Sequence, residues 1–166
     1  MMTGLRFPID GYTLRNAGDD DMAFVMRCME ESILLSVPDN EVILSDLWMN
    51  DILSVTSIAI GGDMMRSETF VLFDRENERK GLLWVGMSRD QFTCEDTGYL
   101  LGLFVSEELR GRGIGKALIG CAEDWCRSKG LTLLTLNVGS SNAVVKSMYD
   151  HLGFEERSTV MRKRFR

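Results

Sequence analysis

The chain has 166 residues and a net charge of −6, with 45% hydrophobic and 27% charged residues. This length suits one domain that buries its own core, and the ordinary composition, without repeats or low-complexity runs, excludes a disordered chain. The acidic balance disfavours a nucleic-acid partner, because phosphate neutralisation needs a basic surface, and the basic stretch "RKRFR" is too short to supply one.

Composition also limits the cellular setting. No segment approaches the ~18 apolar residues of a membrane helix, so we expect no membrane partner. The first residues lack the basic and then apolar pattern of a signal peptide. A single histidine and the absence of a CxxC pair argue against a metal site. The sequence therefore predicts a cytoplasmic protein whose four cysteines are free thiols: Cys28, Cys94, Cys121 and Cys126.

The predicted elements begin with a strand and two helices. "GYTLRNA" predicts a short strand, and apolar residues at three- and four-residue spacing predict helices over about 19–37 and 42–60. Two apolar runs on either side of the charged turn "RENERKG" then predict a β-hairpin. The next strand, "TGYLLGLFV", is apolar on both faces, which is typical of a strand with neighbours on both sides.

The second half of the chain alternates helix and strand. A helix is predicted over about 113–129, the strand "LTLLTLNV" follows, and a second helix over about 142–152 ends at Gly153. A last strand is predicted over about 158–165. The order β-α-α-β-β-β-α-β-α-β predicts an α/β (α+β) fold, with helices flanking a central sheet that is part antiparallel and part parallel.

A glycine-rich, cationic loop, "LRGRGIGKALIG" (109–120), joins the third apolar strand to its helix. Glycines let backbone N–H groups approach a ligand closely, and a helix N-terminus offers unpaired donors with a partial positive charge. Cations at that end are unfavourable by roughly 0.3–1 kcal/mol each unless an anion lies among them. The loop therefore predicts a site for a pyrophosphate. The alternative is a solvated turn whose arginines face water.

Two familiar phosphate loops do not fit these residues. The pattern GxxxxGK[ST] fails because Arg110 stands at its first glycine and Ala117 at its last position. The pattern GxGxxG fails because Lys116 stands at its third glycine.

The segment from Arg110 to Gly115 resembles the [RQ]-x-x-G-x-[GA] motif of the GCN5-related N-acetyltransferase (GNAT) superfamily. "LLGLFV" before it is similar to that family's fourth strand, and "LNVGSSNAVVKSMYDHLGF" to its fifth strand, an Asn-headed helix, a tyrosine and the closing Gly-Phe. The resemblance is close over 97–166, whereas residues 1–95 match only in the order of elements.

The resemblance implies one N-acetyltransferase domain over 1–166, with the acetyl-CoA-binding core in 97–154 and the substrate side in 1–95. It implies direct transfer of the acetyl group of acetyl-CoA to a primary amine of a small molecule, peptide or protein, without a metal. In this family the fourth strand parts from the fifth at a bulge, and the cofactor lies in the gap. The implied cofactor-binding residues are Leu103, Phe104, Val105, Arg110, Gly111, Arg112, Gly113, Ile114, Gly115, Lys116 and Asn142.

Asn142 and Tyr149 lie seven residues apart, so they share one helix face. Asn142 is a candidate N-cap, and the resemblance gives it a second role as a hydrogen-bond partner of the cofactor arm. Tyr149 has apolar neighbours at helical spacing, which would make it an ordinary core tyrosine. The resemblance makes it the catalytic general acid that protonates the departing thiolate.

The sequence does not identify the general base. Some relatives carry a glutamate on the fifth strand where this chain has Asn137, and an asparagine cannot take the proton. Other carboxylates are candidates, although each is also typical of a solvated surface: Asp39, Glu41, Glu95 and Asp96. His151 is expected to point away from Tyr149, and water is a further route for the proton.

Two alternatives to direct catalysis remain at this level. Cys121 and Cys126 could carry an acetyl-cysteine, but their apolar neighbours favour small core residues. A non-catalytic acetyl-CoA sensor or interaction module would keep the same loop. The sequence leaves the acceptor and the oligomeric state open, a homodimer included.

Overall fold

Five strands form one sheet, in chain order, in the computed structural model, which describes residues 5–38 and 66–165. The first four strands are antiparallel and the fifth runs parallel to the fourth. Their bounds are β1 (Thr13–Asn16), β2 (Ser67–Phe73), β3 (Arg79–Arg89), β4 (Asp96–Val105) and β5 (Leu134–Leu136).

Three α-helices cover the sheet in the described residues: α1 (Met22–Leu34), α2 (Ile114–Ser128) and α3 (Ala143–His151). The amphipathic helix α1 packs on one face, against a cluster that includes Leu82 and Trp84. The helices α2 and α3 pack on the other face, around Leu83 and Val85. Neighbouring residues of β3 thus point into different cores, as the period of a strand requires. The predicted α/β class with a mixed sheet is confirmed.

Two glycines of β4 allow the helices to approach the sheet closely. A Cβ atom on Gly102 would lie 2.6 Å from the Sδ atom of Met29 in α1. One on Gly98 would collide with the Sγ atom of Cys126 in α2. An alanine at either position would force the facing side chain to move, so the two glycines allow Met29 and Cys126 to pack directly on the β4 backbone.

The predicted last strand is wrong. Residues 158–165 form no strand, and Val160, Met161 and Phe165 are about nine-tenths exposed. In an extended chain both faces of this segment would carry cations beside the apolar residues, so neither face suits burial. The predicted strand over 131–138 is confirmed only at β5. The predicted helix over 42–60, with Asp39 and Glu41, lies outside the described residues.

The chain beyond α3 is anchored by an ion pair. Arg157 contacts the carboxylate of Asp90, which lies in the turn after β3. That carboxylate also accepts hydrogen bonds from the amides of Thr93 and Phe92. The amide of Thr93, followed by Arg157, lowers the pKa of Asp90 to about 2. The pair therefore stays ionised at neutral pH and ties the segment after α3 to the sheet.

None of the helices within 5–38 and 66–165 combines the length and apolar character needed to cross a membrane.

The same substitution at two glycines should change stability in opposite directions. Gly98→Ala overpacks the contact with Cys126 and should lower the free energy of unfolding by about 1–3 kcal/mol. Gly120→Ala, in α2 where a Cβ meets no atom within 4 Å, should raise it by about 0.5–1 kcal/mol. Urea denaturation of both variants measures the difference, and a stabilised Gly98→Ala would contradict the packing described here.

Candidate active site

The pairing of β4 with β5 stops part-way along β4. Three pairs join the strands, the last being Leu100 with Leu136. From there β4 continues to Val105, paired with β3 alone among the described strands. Among the described residues, the edge of β4 over 101–105 therefore has no strand neighbour on the side where β5 would have continued, and it is called the open edge.

A β-bulge at Leu101 turns the peptide groups of β4 at this point. Trp84 of β3 pairs with Gly102, but its neighbour Val85 pairs with Leu100, so Leu101 is one residue in excess. In a strand the N–H and C=O groups of successive residues point alternately to its two edges. An inserted residue shifts this alternation by one position.

The alternation beyond the bulge follows from one ladder bond. The Ser106 amide donates to the Lys80 carbonyl at 2.9 Å. Because hydrogen-bonded pairs recur at every second residue, Phe104 pairs in the same way with Leu82. The peptide groups of Leu103 and Val105 therefore point to the open edge. Of the three strand residues predicted to bind a cofactor, Leu103 and Val105 offer backbone donors and acceptors there, whereas those of Phe104 belong to the ladder.

The glycine-rich loop follows β4 after a 3-10 turn over Glu107–Leu109. Gly111 and Gly113 have φ angles of 74° and 80°, in the left-handed region that favours glycine. A Cβ on either would meet no atom within 4 Å, so the loop backbone is accessible from outside. Gly113 is the N-cap of α2 and no side chain caps this end. The first helical bond joins the Ala117 amide to the Gly113 carbonyl, so the amides of 114–116 precede it.

The cations of the loop take different positions. Arg112 and Lys116 are exposed at the N-terminus of α2. Arg110 turns back instead, and its Nε atom donates to the Val105 carbonyl at 3.1 Å. Gly115 faces the end of β4 and α3, since its Cβ would lie 3.9 Å from Val105 and 3.6 Å from Met148. The loop therefore brings uncapped amides and two exposed cations to the end of the open edge, where a bound anion would be favourable.

Asn142 caps α3, as predicted. Its Oδ1 atom accepts a hydrogen bond from the Val145 amide at 3.4 Å. The cap uses the side-chain oxygen only, so the NH₂ group can still donate to a ligand. The two predicted roles of Asn142 are compatible.

Tyr149 is buried, with 7% of its surface exposed, and packs edge-on against Phe154 at 5.3 Å between ring centroids. It belongs to the core cluster against which Leu103 and Val105 pack. Burial raises the pKa of Tyr149 to about 12, so the phenol stays protonated at neutral pH. The environment is that of a core tyrosine, on the face of the sheet that α3 covers.

The described carboxylates considered as bases do not reach this edge. Asp96 begins β4, pairs in register with Arg89, and lies 3.6 Å from its Nε atom. Seven residues of strand, at ~3.3 Å each, separate Asp96 from Leu103. Glu95 precedes it and contacts Thr93. Asn137 is exposed, directly after the end of β5.

His151 is exposed too, and its Nδ1 atom lies 2.6 Å from the Ser147 carbonyl, as expected for a side chain that points away from the core.

The cysteines are poorly suited to carry an acetyl group. Cys28, Cys121 and Cys126 are buried, and Cys94 is exposed in the turn after β3. Burial raises the pKa of Cys121 and of Cys126 to about 11, so hardly any thiolate forms at neutral pH. In the part of the chain that the structure describes, no group of three or more His, Cys, Asp or Glu side chains could hold a metal ion.

Sequence reasoning did not anticipate how α1 meets this edge. Ser32, half-buried in α1, has its Oγ atom 3.5 Å from the Leu103 carbonyl. Just beyond α1, the Ser36 carbonyl meets the loop after β5, where a Cβ on Gly139 would lie 2.5 Å from it and Ser141 donates to it at 3.4 Å. The spacing of apolar residues in α1 does not distinguish Ser32 from a serine that faces solvent.

Comparison with known proteins agrees with this geometry. Residues 47–154 match the Acetyltransferase (GNAT) family. An uncharacterised N-acetyltransferase of Bacillus subtilis is 30% identical over 89 residues, which are 54% of this chain and 56% of that protein. An aminoglycoside N(6')-acetyltransferase of Salmonella typhimurium is 32% identical over 63 residues, 38% of this chain and 43% of that protein. The matched segments thus span about half the length of these two relatives.

Solved structures share the fold. A Pyrococcus furiosus protein, described as a candidate acetyl transferase, superposes with a TM-score of 0.73 at 21% identity, over 93% of this chain and 99% of its own. AAC(6')-Iy in complex with the bisubstrate analogue CoA-S-monomethyl-acetylneamine gives a TM-score of 0.64 at 20% identity, over 93% and 98% of the two chains. This chain belongs to the GNAT acetyltransferase family, and its relatives are N-acetyltransferases.

The buried phenol should be visible in a titration. Tyr149→Phe should remove an ionisation close to pH 12, because burial disfavours the phenolate. Phenolate absorbance after a rapid pH jump, recorded before the protein unfolds, measures the step in wild type and variant. In denaturant every tyrosine should ionise near its ordinary pKa of ~10. The ionisation that the variant lacks should then be seen near pH 10. A step missing near pH 10 in the folded protein would show that Tyr149 is solvated.

Proposed function

We propose that this protein transfers the acetyl group of acetyl-CoA to a primary amine by direct attack within a ternary complex. The observation that carries the proposal is the open edge of β4, which is followed after a short 3-10 turn and the glycine-rich loop by the uncapped N-terminus of α2. An extended arm carrying amides and ending in a pyrophosphate fits that combination. Acetyl-CoA has both parts and supplies an activated acyl thioester.

The backbone of β4 is suited to an extended arm. Leu103 presents its peptide N–H and C=O groups and Val105 its N–H at the spacing of a strand edge, so an amide-bearing chain can add there as a strand does. The Val105 C=O already accepts a hydrogen bond from Arg110. Asn142, across the gap, adds a side-chain donor. In this proposal the N–H of Leu103 also donates a hydrogen bond to the acetyl oxygen as negative charge develops on it in the tetrahedral intermediate.

The loop is suited to the pyrophosphate. Gly111, Gly113 and Gly115 leave the backbone accessible, and the amides of Ile114 and its neighbours point along the helix axis toward the ligand. Arg112 and Lys116 supply the positive charge. Arg110 acts less directly, because its hydrogen bond to Val105 holds the loop against the end of β4.

Tyr149 is suited to protonate the leaving group. Attack by the amine forms a C–N bond and breaks the C–S bond, and the departing thiolate needs a proton. A phenol with a pKa of about 12 is fully protonated at neutral pH and can give that proton. The proton lost by the amine goes to solvent, since the described carboxylates considered as bases do not reach the site.

The acceptor is an amine, and a cationic one suits this chain. The net charge of −6 favours the approach of positively charged molecules. The Salmonella typhimurium relative, an aminoglycoside N(6')-acetyltransferase, makes polyamine-like sugars reasonable members of an acceptor panel. An acetyl-CoA sensor without turnover would keep the same cofactor site, so the experiments must measure binding and transfer separately.

Charge reversal in the loop should weaken acetyl-CoA binding. Arg112→Glu places a carboxylate at the proposed pyrophosphate site and should raise the Kd of acetyl-CoA by about 10–100-fold. Arg127→Glu makes the same charge change at the far end of α2, ~20 Å along the helix, and should alter the Kd less than threefold. Calorimetry measures both, with Glu107→Lys as a reversal of opposite sign. Equal losses for Arg112→Glu and Arg127→Glu would rule out a local role.

Removal of the phenol should slow transfer without loss of the cofactor. Tyr149→Phe should lower kcat by about 10²-fold or more, because the thiolate then leaves unprotonated, while the Kd of acetyl-CoA changes less than twofold. Thiol release is measured with neamine, spermidine and a lysine peptide as acceptors.

The two arms of this experiment separate the alternatives. Tight binding of acetyl-CoA by wild type without transfer to any amine would favour the sensor. A large loss of affinity or stability in Tyr149→Phe would show that the tyrosine serves only the core.

A further inference from the structure

A hydroxyl group of α1 lies beside the open edge of β4. The Oγ atom of Ser32 donates to the Cys28 carbonyl at 2.8 Å and lies 3.5 Å from the Leu103 carbonyl oxygen. Helix α1 packs on the face of the sheet opposite to the core that contains Tyr149. Ser32 and Tyr149 therefore approach the gap after β4 from opposite sides.

The hydrogen bonds of Ser32 determine what it can offer. A hydroxyl has one proton, and the short contact commits it to Cys28. The contact with Leu103, at the limit of hydrogen-bond distance, joins two oxygens that both remain acceptors. Two acceptor oxygens thus converge on one opening, and a group with more than one N–H is the natural partner for such a pair.

Contacts one turn before and one turn after Ser32 hold it in position. Met29, one turn earlier, packs into the space left by Gly102, where a Cβ would lie 2.6 Å from its Sδ atom. Ser36, one turn later, donates its hydroxyl to the Ser32 carbonyl at 2.9 Å, and its own carbonyl meets Gly139. Ser32 is therefore held on a helix that contacts both sides of the gap.

We propose that Ser32 binds the amino group of the acceptor, a role that rests on the proposed acetyl transfer. Its Oγ atom and the Leu103 carbonyl accept the two N–H bonds of the neutral amine. The nitrogen lone pair then faces the acetyl carbon from the α1 side, while the thiolate leaves toward Tyr149. The C–N bond forms, the C–S bond breaks, the thiolate gains the proton of Tyr149, and the nitrogen's extra proton passes through solvent to restore the phenol.

This assignment predicts the class of acceptor. Two neutral oxygens bind a primary amine by its two N–H bonds, whereas a secondary amine can satisfy only one of them. An oxygen acceptor such as an alcohol offers one O–H. The protein should therefore prefer unhindered primary amines over their N-methylated forms.

The test compares two helix serines that each donate to a carbonyl of the preceding turn. Ser32→Ala should raise the KM of the best primary amine in the panel by about tenfold and leave the Kd of acetyl-CoA within twofold. Ser32→Thr, which keeps the hydroxyl, should restore most of the amine affinity. Ser128 in α2 likewise donates to a preceding carbonyl, that of Trp125 at 2.6 Å, and Ser128→Ala should leave both constants unchanged.

A binding measurement separates this proposal from the proposed function. CoA alkylated at sulfur with a –CH₂–CO–NH₂ group carries a primary amide, whose nitrogen lies where the amine would attack and keeps two N–H bonds. Wild type should bind this analogue more tightly than CoA, and Ser32→Ala should lose about tenfold for the analogue alone.

Equal losses for the analogue and for CoA, or an unchanged KM for the amine in Ser32→Ala, would overturn the role of Ser32 while acetyl transfer stands. Failure of wild type to bind CoA at all would overturn the proposed function, and the role of Ser32 with it.

Discussion

The loss of one strand neighbour part-way along β4 is the constraint on which the rest of the site depends. Peptide groups in a sheet are normally paired, and unpaired ones in the interior are costly. Here β5 ends at Leu136 while β4 continues to Val105, and the bulge at Leu101 points the peptide groups of Leu103 and Val105 into the opening. The sheet therefore keeps a row of donors and acceptors available for a ligand that completes the pairing.

Charge and geometry act together at the end of that opening. The positive end of the α2 dipole and the two exposed cations repel one another in the free protein. A bound anion would reduce this electrostatic repulsion. Arg110 shows that the loop residues are not equivalent, because it is used to fix the loop to β4. The proposed pyrophosphate site is thereby confined to the residues from Gly111 to Lys116.

Most elements could be predicted from the sequence because their patterns are local. The two-sided apolar run of β4, the helical spacing in α1 and α2 and the cap at Asn142 all gave the correct element. The family resemblance implied a bulge in β4, but its position at Leu101 could not be predicted, since nothing in the sequence marks Leu101 until the register with β3 is known. The cationic residues after Val160 alternate with apolar ones as in a strand, yet residues 158–165 form no strand. The interest of Ser32 rests on its contact with Leu103. A helical sequence pattern cannot predict such a contact between distant parts of the chain.

The distribution of thiols has a practical consequence. Three of the four cysteines lie in the core with raised pKa values, about 12 for Cys28 and about 11 for Cys121 and Cys126, so they react slowly with disulfide reagents. Cys94 is the exposed one. A colorimetric reagent that detects free CoA will consequently see a background of about one equivalent per chain, and a Cys94→Ser protein would report product formation almost without interference.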